Sequence, residues 1–172
     1  MGGSMKRKLV KLAAIVGLVS LCAIGSVQLL SVRTVWLRLT KYCPTCELST
    51  VNLFAARLQR ANLAAANLTS SNLSEVNLEQ ANLAGANLSH ADLTLANLSG
   101  ANLTGANLQN ANLSGAILTG AILEAASLQQ ATLVFTDLDT TNFKRANLRQ
   151  IQLHGTNLLN ANLEDAIISG EP

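Results

Sequence analysis

The residues of this chain that could carry out chemistry are few, and the CxxC motif formed by Cys43 and Cys46 is the most suggestive of them. A thioredoxin-like redox role would require a βαβ context, and a zinc site would require two further ligands at suitable spacing. The remaining cysteine, Cys22, lies in an apolar stretch, while His90 and His154 lie far along the chain. The motif therefore indicates a structural cysteine pair.

The two histidines are also isolated from the partners that catalysis would need. Neither His90 nor His154 has an acid, serine or cysteine at a spacing that would form a nucleophile and base system. We therefore expect both to be solvated. The sequence predicts no catalytic residue, no cofactor and no metal site, so the protein is interpreted as non-enzymatic.

The elements that position all these residues follow from a five-residue period. From Leu48 to Ile168, 25 positions spaced five apart are all Leu except Phe143 and Ile168. Five helical steps would rotate a side chain by about 140° and scatter the leucines around a helix. A straight strand would send successive leucines to opposite faces. The pattern therefore predicts a chain that bends once every five residues around a common axis.

The residues around each leucine support such a bent chain. The residue two before the leucine also faces the axis, and it is Ala at 17 of the 25 sites. The two residues after it are rich in types that tolerate a positive φ, which places the bends there. These are glycines at 85, 100, 105, 115, 120, 155 and 170 and asparagines at 110 and 160.

Units such as Ala61-Asn62-Leu63 and Ala101-Asn102-Leu103 give residues 46–168 the pattern A-(D/N)-L-x-x. This part of the chain resembles the pentapeptide-repeat family. The resemblance implies an all-β fold, a right-handed quadrilateral β-helix with twenty residues per coil. Six such coils would be roughly 29 Å long at ~4.8 Å per coil. Phe143 would then stack between Leu123 and Leu163 in the core.

The segments before the repeats predict membrane targeting. Residues 1–4 resemble a cloning scar and are set aside. Residues 5–32 contain a basic start and an uncharged run over 12–32, close to the ~20 residues that span a bilayer. This predicts an N-terminal hydrophobic α-helix, either a retained transmembrane signal anchor, which we favour, or a cleaved signal peptide. Residues 33–45 form a juxtamembrane or capping segment, and 169–172 a C-terminal tail.

The junction before the repeats also resembles exported cyanobacterial members of the family. Those found in the thylakoid lumen often carry C-x-x-C-x-L at this point, similar to the run from Cys43 to Leu48. This resemblance implies that the repeat domain lies in the thylakoid lumen or periplasm. In such an oxidising compartment we expect a disulfide between Cys43 and Cys46.

Two surface features follow from stacking residues twenty apart. The outward positions are mostly polar, yet four large apolar residues fall on one corner and form the candidate partner surface: Phe54, Leu95, Val134 and Phe135. A second corner stacks charges, with Lys144 between Glu124 and Glu164 and Arg145 above Asp165. An amide-rich corner around Gln129, Gln130, Arg149 and Gln150 is either a ligand groove or a hydrogen-bonded surface.

Composition separates two hypotheses for function. The first is a binding or scaffold protein, membrane-anchored or exported, that presents a rigid rod to a protein partner and binds no nucleic acid. The alternative is the DNA mimicry of gyrase-binding pentapeptide-repeat proteins, which requires a dense array of carboxylates. Residues 47–172 carry five cations and ten acids, a net charge of only −5, so the sequence favours the scaffold.

Overall fold

The computed structural model describes residues 30–168. One α-helix, α1, spans Leu30–Thr40, and the repeats follow it directly. Most of the hydrophobic helix predicted over residues 5–32 lies outside the described residues. Within residues 30–168, no helix has the length and apolar character needed to cross a bilayer.

Parallel β-bridges between residues twenty apart build the rest of the molecule. Tyr42 pairs with Asn62, Asn62 with Asn82, and the same spacing recurs on all four sides as far as Ile167. Each side contributes a single bridged residue, so the described residues contain isolated bridges and no strand of two or more residues. The fold is the right-handed β-helix that the resemblance to the pentapeptide-repeat family implied. We number coils 1 to 6 in steps of twenty from residue 42, and residues 162–168 begin a seventh turn.

Backbone hydrogen bonds explain why the chain bends after every leucine. Leu63 N–H donates to the carbonyl of Asn82 in the next coil at 2.8 Å, and Ala66 N–H closes the turn by donating to the carbonyl of Leu63 at 3.0 Å. The side chain of Asn62 supports the same turn, because its Oδ1 accepts from Ala64 N–H at 3.2 Å. This Asx turn gives a physical reason for asparagine before most of the inward leucines.

The second residue of every turn except the one at Asn160 lies in the left-handed region of the backbone. Gly85 has a φ of +65°, as the sequence predicted for glycine. The same conformation is also adopted by non-glycine residues, including Leu95 at +57° and Phe135 at +54°. Left-handed backbone costs an L-residue roughly 1–2 kcal/mol. In the regular coils, ladder hydrogen bonds on both sides of the turn hold these residues there.

The core is a column of inward leucines and alanines. Leu103 and Ala106 are fully buried, as are their counterparts through coils 2 to 5. Phe143 is buried in the column of Leu123, as expected. At the N-terminal end, Cys43 occupies an inward position one period before Leu48, and Leu37 of α1 is completely buried against the core cluster. The helix thus covers the first coil.

The ladder is interrupted at one place between coils 5 and 6. Thr132 pairs with Gln152 and Asn142 with Asn162, but no bridge joins Asp137 to Asn157 on the side between them. The inward residue Thr156 accounts for this. Thr136 N–H donates to its hydroxyl oxygen at 3.0 Å, and that hydroxyl donates to the carbonyl of Leu133. The threonine side chain therefore replaces a regular backbone contact.

Candidate partner-binding site

The structure places the four predicted surface residues along one edge of the solenoid, which we call the apolar corner: Phe54, Leu95, Val134 and Phe135. Phe54 lies in coil 1, Leu95 in coil 3, and Val134 and Phe135 in coil 5. The exposed fractions are 49% for Phe54, 58% for Leu95 and 67% for Phe135. The corner thus exposes large apolar side chains along much of the rod.

Glycines of the following coil make room for two of these side chains. A Cβ atom added to Gly115 would lie 2.7 Å from Cδ2 of Leu95, and one added to Gly155 would lie 2.3 Å from ring carbons of Phe135. Such distances are shorter than any ordinary carbon contact. Leu95 and Phe135 therefore occupy the space over the glycine backbone that a side chain would otherwise fill.

His154 is also part of this corner. Its ring lies 5.7 Å from that of Phe135, centre to centre, in an edge-to-face arrangement. Such aromatic pairs contribute about 0.5–1.5 kcal/mol beyond the area that they bury. The sequence predicted a solvated histidine, and the residue is exposed, but it supports the Phe135 ring as well.

Sequence reasoning missed three exposed isoleucines and the exposed Leu159. Ile117, Ile122 and Ile167 stand where asparagine usually precedes the inward residue, and all three point outward. Ile117 lies on the side of the solenoid that adjoins the apolar corner, so it extends the apolar surface between coils 3 and 5. The signal was present in the sequence, because each replaces the asparagine that makes the Asx turn.

A cleft opens where the ladder is interrupted, beside the apolar corner. Its volume is about 310 Å³, and it lies between coils 5 and 6. The carboxylate of Asp137 accepts from the Thr119 hydroxyl at 2.9 Å and from Asp139 N–H at 3.0 Å. Asn160 donates its amide N–H to Asp139 at 2.7 Å. The cleft is lined by Phe135, Thr136, Asp137, Leu138, Asp139, Gly155, Asn157 and Asn160.

The CxxC motif forms a corner of the first coil. Cys43 and Cys46 are joined in a disulfide with a Cα–Cα distance of 5.4 Å, and the two residues between them form the turn. Both cysteines face inward, at the positions that leucine and alanine occupy in later coils. Cys43 is buried, so the disulfide is placed to close the coil rather than to exchange with thiols in solution.

The charged corner differs in one pairing from the sequence prediction. Lys144 Nζ lies 2.7 Å from Glu164, as expected, but Arg145 pairs with Glu124 rather than with Asp165. Lys144 pairs with Glu164, and the Arg145 guanidinium pairs with Glu124 in the preceding coil. The hydrogen bond that Lys144 donates to Glu164 raises the pKa of Lys144 above its ordinary value, against a smaller lowering by desolvation and with support from the Glu164 charge. These exposed pairs stabilise the surface and form no reactive centre.

The amide-rich corner contains surface hydrogen bonds. Gln130 donates to Gln150 at 3.1 Å, and Gln109 donates to the Ser127 hydroxyl at 3.1 Å. The Nε of Arg149 is buried without a hydrogen-bond partner. Among residues 30–168, no three His, Cys, Asp or Glu side chains come close enough together to hold a metal ion.

This geometry defines a repeat solenoid, and comparison with known proteins identifies its family. A sequence model of pentapeptide repeats matches eight copies, over residues 46–83, 71–110, 106–145 and 134–170. The chain therefore belongs to the pentapeptide repeat family. A search of curated proteins found no match.

Several solved structures are similar to this chain. The pentapeptide repeat protein Rfr23 from the cyanobacterium Cyanothece is 30% identical over 80% of this chain and 93% of its own, with a TM-score of 0.47. HetL, involved in heterocyst differentiation regulation in the cyanobacterium Nostoc, is 33% identical over 73% and 67%, with a TM-score of 0.40. A thylakoid lumen protein of Arabidopsis thaliana is 28% identical over 60% and 66%, with a TM-score of 0.45. The match thus spans just under two thirds of that plant chain.

Proposed function

We propose that this protein is a non-enzymatic scaffold whose β-helix presents the apolar corner to a protein partner. The observation that carries the proposal is the set of large apolar side chains held on one edge of a rod whose other turns are mainly polar. These side chains recur every second coil, with Ser74 and Glu75 on the corner between Phe54 and Leu95. Exposed apolar patches rimmed by polar residues mark sites where proteins bind one another. Pentapeptide repeat proteins are in general structural or binding proteins.

The rigidity of the solenoid supports this role. The leucines of coils 2 to 5 are almost completely buried, and backbone hydrogen bonds of 2.7–3.0 Å link successive coils. A rigid surface loses little conformational entropy when a partner binds. The side chains of Leu95 and Phe135 lie directly over glycines of the next coil. The apolar corner is therefore largely preorganised.

We also propose that the repeats are exported or membrane-anchored, in the thylakoid lumen or periplasm. Two features support this location. The disulfide between Cys43 and Cys46 is of a kind that persists in oxidising compartments. The uncharged run over residues 12–32 follows a basic start, as in signal anchors. Protease protection of the untagged protein in membrane fractions tests this, and digestion of the repeats without lysis of the compartment would contradict it.

The charge distribution disfavours DNA mimicry. A DNA duplex of about 29 Å carries roughly 17 negative charges, one per ~1.7 Å. The repeat region and tail hold ten acids against five cations, and two of the acids are paired with cations in the structure. The acids are also spread over different sides, since Glu75, Asp92 and Glu124 fall in different columns. They form no continuous acidic stripe.

The experiment that tests the scaffold proposal compares two sets of substitutions in capture of the native partner from membrane extracts. The triple variant Phe54→Ser, Leu95→Ser and Phe135→Ser should abolish capture while the melting temperature stays nearly unchanged. The control carries Ile122→Ser and Ile167→Ser, which remove exposed apolar side chains from other sides of the rod. Intact capture by the triple variant would show that the partner binds outside the apolar corner. The amide-rich corner would then be tested next.

A further inference from the structure

We propose that the cleft between coils 5 and 6 binds the guanidinium group of an arginine side chain on the partner. This inference rests on the proposed function, because it assigns a chemical feature to the partner that the apolar corner binds. The cleft adjoins that corner, and Phe135 belongs to both. A partner segment that places an arginine beside an apolar residue would therefore occupy the two sites together.

The first argument is the charge of the cleft. Asp137 and Asp139 lie on one lip, and the hydrogen bond from Asp139 N–H to the Asp137 carboxylate holds them side by side. Their other partners are neutral, the Thr119 hydroxyl and the Asn160 amide. Neither carboxylate forms a salt bridge within residues 30–168, unlike Glu124 and Glu164. Each therefore keeps acceptor capacity for a cationic donor.

The second argument is the aromatic wall. The Phe135 ring is 67% exposed and is supported by Gly155 beneath it and by the edge contact with His154. A cation over an aromatic face is attracted by the ring quadrupole, and arginine makes such contacts more often than lysine. The carboxylates and the ring thus lie around the same cavity.

The third argument is the size and backbone of the cleft. Its 310 Å³ falls at the lower end of the ~300–1,000 Å³ typical of ligand pockets. The ladder hydrogen bonds of regular coils are missing here, since neither Leu138 N–H nor Asn157 N–H donates to a backbone carbonyl of the adjacent coil. A side chain with several donors can bind the carbonyls that these missing bonds leave available.

The geometry favours a guanidinium over a metal ion. Calcium requires six to eight oxygen ligands, and magnesium requires a near-ideal octahedron. Only two carboxylates line the cleft, and both already accept hydrogen bonds. A guanidinium is planar and carries five donors in a fixed fork, which matches neighbouring carboxylate oxygens and stacks on a ring.

The test uses the full-length ¹⁵N-labelled protein in detergent micelles and three small probes. Acetyl-arginine amide should shift the backbone amides of Asp137, Asp139 and Gly155, with a Kd on the order of millimolar. Acetyl-citrulline amide, the neutral isostere, should bind at least about tenfold more weakly. Calcium chloride, the third probe, should leave these amides unshifted at the same concentrations.

Two matched double variants test the role of the carboxylates. Asp137→Asn with Asp139→Asn should weaken binding of the arginine probe at least about fivefold. Asp137 stands directly before the inward Leu138, where most other repeats have asparagine, so Asp137→Asn keeps the Asx turn to Asp139 N–H. Asp92→Asn with Glu79→Gln removes the same charge elsewhere and should change the affinity less than twofold. Phe135→Leu, which keeps an apolar side chain, should weaken binding about threefold.

Equal binding of the arginine and citrulline probes would overturn the inference. Equal losses of affinity for the arginine probe in the two double variants would also overturn it, because they would show that the probe responds only to the net charge of the protein. So would calcium shifting these amides at lower concentrations than the arginine probe. If the probes fail while the serine triple variant still loses its partner, the scaffold proposal stands and only the arginine assignment is wrong.

Discussion

The two ends of the solenoid are built from the same repeat and yet differ in burial. In coil 1, Leu48 and Leu58 are completely buried, with Leu37 of helix α1 in the same core cluster. In coil 6, Leu153 and Leu158 are only partly buried, and Ile168 in the turn that follows, the last inward position of the repeat, is 49% exposed. The repeat therefore determines which side chains face inward, while the neighbouring element determines how completely they are buried.

This difference extends to the backbone. Coil 1 is closed by the disulfide between Cys43 and Cys46, whereas coil 6 lacks the bridge between Asp137 and Asn157. In repeat proteins, stability is approximately a sum of terms for each repeat and its nearest neighbours. Local opening should therefore require the least free energy at coil 6. The cleft lies at that end, in keeping with the tendency of binding regions to occupy less stable segments.

The largest expected effect comes from placing a charge in the middle of the rod. Leu103→Asp should unfold the central coils, because a buried unpaired carboxylate costs several kcal/mol. The same change at Leu158 should lower the free energy of unfolding by less than half as much, since that side chain is partly exposed. Circular dichroism melts and urea titrations measure both. Unchanged melting of the Leu103 variant would contradict the fold.

The five-residue period, a local pattern repeated without interruption, predicted a chain that bends around one axis, and the family resemblance supplied the right-handed coil of twenty residues. Once twenty residues per coil is adopted, stacking of Phe54, Leu95 and Phe135 on one corner follows by counting. The burial of Phe143 and the pairing of Lys144 with Glu164 follow in the same way, and the structure shows both.

The features that could not be predicted depend on contacts between coils. Beside Asn157, where the ladder is interrupted, the Thr156 hydroxyl accepts from Thr136 N–H as well as donating to coil 5, whereas the Thr136 and Thr141 hydroxyls donate to the preceding coil and leave the ladder intact. The left-handed backbone of Leu95 and Phe135 opposes local preference and is maintained by hydrogen bonds to the next coil. No pattern within one repeat contains this information.

The second prediction removes the disulfide from the N-terminal end. Cys43→Ser should lower the free energy of unfolding by roughly 2 kcal/mol, because a loop of about four residues constrains the unfolded chain only slightly. Hydrogen exchange in coil 1 should then approach that of coil 6. Denaturant titration with and without reductant measures the change, and reductant should have no effect on the variant. Zinc bound to the purified wild-type protein would contradict the structural role of the pair.

The third prediction compares two glycines with similar backbone angles. Gly85 and Gly155 have φ values of +65° and +69°, so Gly→Ala should cost about 1 kcal/mol of backbone strain at either site. At Gly85 nothing lies near the added Cβ, whereas at Gly155 it would meet the Phe135 ring. Only Gly155→Ala should displace that ring and change the ring-current shifts of His154 in NMR spectra. Identical His154 shifts in both variants would show that the ring is not held by Gly155.

The smallest expected effect concerns the ion pair that joins coil 6 to the residues after it. Glu164 raises the pKa of Lys144, so the pair should stabilise the folded protein below the unfolded lysine pKa of about 10.4. This contribution should be lost as the pH rises through the higher folded value. Glu164→Gln should lower the Lys144 pKa in NMR titrations, while Glu79→Gln, on another side, should leave it unchanged. Because the pair is exposed, added salt should reduce the difference in Lys144 pKa between the wild type and Glu164→Gln. A Lys144 pKa that does not change in Glu164→Gln would show that the pair does not join the two segments in solution.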